Sequence, residues 1–214
     1  MANRSTSGFG LRMAMKLGNS PAISGQSKYA IKSGLGVGIF KGNPASIQLA
    51  GDTGYIQDSA FSTTDDGNDG GIDFTTANDA LLVGVHNGVF YIDGTTSKPT
   101  FANSVAASTT FGTNPNTNST DGVAFVNDDP DQEYVVKADA AVGQAIFGLC
   151  GNINDFAAGD AKDGASTATF DSGTQGETKM FRIVRSAEDP DNEDLTAAGG
   201  NIIVVMNAAA NTYS

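Results

Sequence analysis

Twelve residues, LLVGVHNGVFYI from Leu81 to Ile92, constrain the fold more than any other stretch of the chain. Two runs rich in Val, Leu, Phe and Tyr flank Asn87-Gly88, a pair suited to a type I′ turn, which predicts a β-hairpin. His86, the only histidine, then falls beside the turn as a surface or cross-strand residue. It has no second histidine or usable cysteine nearby with which to build a metal or catalytic site. The other apolar runs are short as well: GVAFV, EYVVKA, AIFGLCGNI, ATFDSG, KMFRIVR and NIIVVMN. The last is apolar on both faces, as a central, fully covered strand should be. Between Tyr91 and Asp121 the chain is dominated by Thr, Asn, Ser and Gly, which predicts long loops with one short strand. No stretch of three turns has the spacing of an amphipathic helix. With 27 glycines in 214 residues and no tryptophan, the pattern predicts an all-β barrel or sandwich of about eight to ten strands with long loops.

A chain of this length buries roughly 70% of its unfolded surface and needs no disulfide or metal to stand. Cys150 is the single cysteine, so it has no internal partner, and its apolar setting suits a buried, inert thiol. The first twenty residues lack the apolar block of a secretion signal, and no run approaches the ~18 apolar residues of a membrane span. These features lead us to expect a soluble protein in a reducing cytoplasm.

The net charge of −12 is unevenly spread. Residues 1–50 carry Arg4, Arg12, Lys16, Lys28, Lys32 and Lys41 with no acid, a charge of +6, and residues 51–214 carry −18. Six charges over fifty residues, with no arginine cluster or stacking platform, make a poor nucleic-acid site. Docking onto an acidic protein surface fits better, beside the simpler reading of a solvated tail. In GFGLRMAMKLG, the residues Phe9, Leu11, Met13, Met15 and Leu17 alternate while Arg12 and Lys16 point the other way, a two-faced extended strand. Such a strand could add to the sheet of another subunit or be the first strand of the protein's own sheet. The glycines Gly34, Gly36 and Gly38 match no dinucleotide or phosphate-loop spacing. We therefore divide the chain into an extended basic, glycine-rich arm, residues 1–34, and a single β-rich body, residues 35–214. The body is expected to fold without residues 1–30.

Three acidic clusters remain. TDDGNDGGID, Thr64 to Asp73, lacks the closing glutamate of the EF-hand calcium loop, which leaves only a non-standard calcium site open. FVNDDPDQEYVV, Phe125 to Val136, and RSAEDPDNEDL, Arg185 to Leu195, each place Asp-Pro-Asp after a strand. Proline cannot continue the ladder and aspartate caps its own backbone, so both read as solvated turns. No base, nucleophile or paired-carboxylate constellation accompanies them. The chain is therefore expected to be no enzyme and to have no catalytic, cofactor or metal residues.

The order of motifs resembles the head-decoration (capsid cement) and minor structural proteins of tailed bacteriophages, especially short-tailed marine phages and cyanophages. LLVGVHNGVFYID is followed by TSKPTFAN and VAFVNDDPDQEYVVKAD. Then come GLCGNIND, GASTATFDSGT and MFRIVRSAEDPDNED…NIIVVMN. The likeness spans roughly residues 35–210, and the first thirty residues match no pattern of that group. It implies a non-enzymatic β-body on the outside of an assembled head. Such a body binds the major capsid protein and its own copies, as a homotrimer, and engages neither nucleic acid nor membrane. The docking residues expected are Arg4, Phe9, Leu11, Arg12, Met13, Met15, Lys16, Leu17, Lys28 and Lys32. An alternative is a virion surface or fibre-associated glycan-binding module, with or without calcium.

Overall fold

A computed structural model describes residues 3–18, 20–21, 25–48, 54–58, 81–154, 159–176 and 179–207. The acidic stretch Thr64–Asp73 lies outside the described residues. The protein is all-β, and its only helical element among them is a short 3-10 turn, Gln144–Ile146.

The first sheet has seven antiparallel strands. They are β1 (Arg12–Lys16), β2 (Ser20–Pro21), β11 (Gln132–Lys137), β12 (Cys150–Asn154), β13 (Thr169–Gln175), β14 (Phe181–Ser186) and β15 (Asn201–Met206), in the order β13-β12-β14-β15-β11-β1-β2. β15 is the NIIVVM run; it holds the middle place and all six of its residues are buried, as a strand apolar on both faces requires.

The second sheet runs β3 (Ser27–Ile31), β10 (Gly122–Asn127), β7 (Leu81–Ile92), β5 (Pro44–Ile47), β6 (Ile56–Asp58), with β8 (Pro99–Ala102) also on β7. Its outermost strands, β3 and β6, approach one another, so the sheet curls into a half-barrel. A third, two-stranded sheet pairs β4 (Ile39–Phe40) with β9 (Ser104–Val105).

The hairpin expected at Asn87-Gly88 is not formed: β7 is one continuous strand. β10 covers one edge of it, while β5 and β8 share the other. Neighbours on both edges satisfy more backbone groups than a two-residue turn would, so tertiary pairing overrides the local preference. The dipeptide instead makes a bulge: Phe125 pairs with Gly88 and Val126 with His86, leaving Asn87 as the extra residue. A second irregularity, where Ala45 pairs with Gly84 and Ser46 with Leu82, lies further along the same strand. Bulges sharpen strand twist, which helps the sheet to curl. His86 is 1% exposed, not a surface residue.

Two cores result. One lies between the sheets, where Tyr134, Phe170, Phe181 and Ile183 meet Leu82 and Val85 of β7. The other fills the half-barrel, with Ile31, Val83, Val89, Val126 and Phe111 beneath the small third sheet. Cys150 is buried.

The N-terminal segment is part of this architecture. β1 pairs with β11 and β3 with β10, so of the two readings of the alternating stripe the structure shows the protein's own sheet. Leu11 is 3% exposed within the first core, which makes removal of residues 1–30 a removal of core and sheet.

Candidate docking surface

The basic start of the chain and its two acidic turns meet each other. In the first turn, Asp129 Oδ1 accepts the Asp131 N–H at 3.0 Å, and the Asp129 carbonyl accepts the Gln132 N–H at 3.1 Å. In the second, Asp189 Oδ1 accepts the Asp191 N–H at 3.0 Å, and its carbonyl accepts the Asn192 N–H at 2.9 Å. These are aspartate-capped turns of one design. Each then grips one end of residues 3–17. The Asp131 carbonyl accepts the Leu17 N–H at 2.8 Å, and the Asp191 carbonyl accepts the Arg4 N–H at 3.0 Å. The next residue repeats the pattern: Gln132 Nε2 donates to the Met15 carbonyl (2.9 Å), and Asn192 Oδ1 accepts from the Ser5 N–H (3.2 Å). A carboxylate–cation pair completes each grip, Lys16–Asp129 at 2.5 Å and Arg4–Asp191 at 2.9 Å. The segment is a strap, fastened at both ends.

The electrostatics follow from those contacts. The hydrogen bond to Asp129 raises the Lys16 pKa above its ordinary value. The Asp189 carboxyl is held below the usual carboxylate range, first by the Asp191 N–H and then by the Asn192 side chain. Lys137 is 3% exposed, and burial pushes its pKa down against the opposing pull of Asp189. Its ammonium donates to the Ser5 carbonyl at 2.7 Å. Gly199, at φ +87, faces the same carbonyl; a Cβ there would lie 2.6 Å from it, so only glycine lets the strap pass.

The corner between the sheets is fixed from within. Tyr134 is fully buried and donates its hydroxyl to Asn127 Oδ1 at 2.9 Å, and burial raises its pKa well above the ordinary value. Beside it, Glu133, 0% exposed, takes a bidentate pair from Arg185 at 2.7 and 2.6 Å. Both acidic clusters are thus structural turns. Among the described residues no group of three His, Cys, Asp or Glu side chains could hold a metal.

The expected docking residues separate into four sets. Phe9, Leu11, Arg12 and Met13 come together on one wall of a cleft of about 330 Å³. Val85, His86 and Asn87 of β7 contribute to the opposite side, with Lys41 and Asn127 nearby. The Phe9 ring is half-buried, with the Arg12 guanidinium 4.3 Å from its centroid and the Lys137 ammonium at 5.6 Å, a cation–π arrangement. The Met13 sulfur accepts from Asn127 Nδ2 at 2.9 Å. Met15, near the end of β1, and Leu17, in the turn after it, are 46% and 43% exposed. Arg4 and Lys16 are committed to the acidic turns, and Lys28 and Lys32 lie exposed on and just beyond β3, outside the cleft.

Sequence reasoning missed Lys41 and Asn87 as partners of this cleft, because a bulge in β7 and a bridge between Lys41 and Ala165 bring them there. It also missed an aromatic row on the second sheet, Phe90, Phe101 and Phe125, for which a lone Phe101 in polar surroundings was the available signal.

No protein family matches the chain, and no curated protein or solved structure matches it either.

Proposed function

We propose that the protein is a non-enzymatic virion structural component that binds the outside of an assembled phage capsid lattice and stabilises the head. The observation that carries this reading is the cleft: apolar walls from Phe9, Leu11 and Met13 beside the exposed cations Arg12 and Lys41, on a chain whose net charge is −12. A local reversal of charge over an apolar hollow fits an acidic protein surface presenting an apolar side chain. Met15 near the end of β1 and Leu17 in the turn after it add exposed apolar side chains to the same segment. The resemblance of motif order to head-decoration proteins supplies the class of partner, the major capsid protein. Several copies acting together, as in a homotrimer, would hold a lattice by avidity with modest individual contacts. An acidic remainder facing solvent would keep particles apart.

The test uses the full chain, since the strap belongs to the fold. Purified heads are mixed with the protein and with an Arg12→Glu/Lys41→Glu variant, and bound protein is measured by co-sedimentation. Wild-type binding weakened by raised salt and lost in the charge-reversed variant supports the reading. Undiminished binding of a folded double variant overturns it.

A further inference from the structure

β8 and β10 flank the far half of β7 and place three phenylalanines on one face of the second sheet. Phe90 is the register partner of Phe101, and Phe125 that of Gly88. By alternation along β10 this is the face that carries Asn127, whose side chain meets Tyr134 and Met13 of the first sheet. Where the first sheet covers the face it is core. Beyond that cover the rings stand at the surface, and Phe101 is 73% exposed. The Phe90 and Phe101 rings lie 4.6 Å apart; Phe101 and Phe125 are 6.4 Å apart and within 20° of parallel.

Between Phe101 and Phe125 is a hollow of about 350 Å³, floored by Gly88 and Val89 and bordered by Asn87 and Asn103. Gly88 keeps it open: a Cβ there would extend from the floor, 3.3 Å from the Ala102 carbonyl oxygen. No charged side chain lines it. Asn103 donates Nδ2 to the Asp163 carbonyl at 3.0 Å, so Oδ1 is the acceptor it offers. Asn87, the bulged residue, is half-buried beside the opening.

The size and chemistry of this hollow select its occupant. A stable protein interface buries ~800 Å² on each partner. An aromatic side chain offers ~150–250 Å², and two of these three are already partly covered. The patch is therefore too small for a second copy of the chain. A charged ligand would find no counter-charge. A sugar ring fits: its C–H face packs on an aromatic ring, and its hydroxyls both donate and accept, as an amide side chain does.

We infer that the hollow between Phe101 and Phe125 binds a neutral saccharide, one ring lying on Phe101 and its hydroxyls hydrogen-bonded by Asn87 and Asn103. This site adjoins the cleft at Arg12 and Lys41, with Asn87 bordering both, but Phe101, Asn103 and Phe125 belong to it alone, and it stands whether or not the protein binds a capsid. The test is calorimetric titration of the full chain with neutral oligosaccharides (cellohexaose, maltohexaose, laminarihexaose and chitohexaose), with sedimentation velocity on the same samples. At least one should bind. Phe101→Ala should weaken that binding at least tenfold with an unchanged melting temperature, because the ring is exposed, and Asn103→Ala should weaken it severalfold. Absence of binding by all four, or binding indifferent to Phe101→Ala, overturns the inference. So does self-association abolished by Phe101→Ala in protein that binds none of the sugars, which would make the patch a contact between copies.

Discussion

The two Asp-Pro-Asp turns are nearly the same object locally and differ in what they join. The first, between β10 and β11, is a four-residue corner that carries the chain from one sheet to the other. The second spans the fourteen residues between β14 and β15 and returns the chain to the sheet it left. Their ion pairs differ too. The Lys16 and Asp129 side chains are each 26% exposed, whereas Arg4 and Asp191 are 77% and 59% exposed. The short corner therefore holds the strap through a sheltered pair and a strand register. The long loop holds it through a part-buried network centred on Asp189 and Asn192, with its ion pair in water. One motif, set in two contexts, fastens the same segment by different forces.

The strap's midpoint gives the largest expected effect. Leu11→Ala leaves a void in the first core and should cost about 3 kcal/mol. Hydrogen exchange should then rise at both turns together; a rise at one alone would show that they do not share a strap. Asn192→Ala removes the acceptor for the Ser5 N–H and a partner of buried Lys137, at 3.2 and 3.5 Å, and should cost about 2 kcal/mol in urea unfolding. Gln132→Ala, which loses the bond to the Met15 carbonyl, should cost about 1 kcal/mol, with protection lost at Leu17 and kept at Arg4. Equal losses at both ends in either variant would erase the distinction between the turns.

Titration should separate them further. Asp189 has a depressed pKa, so its contribution is present above the ordinary carboxylate range and is lost as pH falls through the folded value. Lys16 has a raised pKa, so its contribution is present below the ordinary lysine value and is lost as pH rises through the folded one. Protection of the Arg4 and Ser5 amides, relative to their intrinsic exchange, should fall on the acid side, and that of Leu17 on the alkaline side. The same order at both extremes would contradict the assignment. The smallest effect belongs to Arg4→Ala, no more than a few tenths of a kcal/mol and absent in high salt, because that pair is exposed and screened.

The all-β class, the central place of β15 and the turn character of both acidic clusters were legible because each rests on local chemistry: apolar residues on both faces, or proline beside a capping aspartate. The continuity of β7 was not, since Asn87-Gly88 carries a strong turn preference that only the flanking strands override. β4 and β9 have two residues each, too few to show a period. The charge asymmetry was visible, but its chief internal consequence was not. Arg4 and Asp191 are 187 residues apart, and nothing in either segment names the other. The aromatic row on the second sheet likewise depends on register between three separate strands.

The strap also fixes an order of events during synthesis. Asn3 bonds Asp194, 191 residues later, so at ~5–20 residues per second its partner follows it out of the ribosome by roughly ten to forty seconds. Contacts of such long range are slow to close. Until they form, Leu11 and Met13 have no core to enter, and β11 presents an open row of backbone donors and acceptors to any passing strand. When β1 arrives it covers that edge, and β2, two residues ending in Pro21, replaces it with one too short to template another chain. A segment made well before its partners thus waits for them, and once placed it guards the protein's open edge against its neighbours.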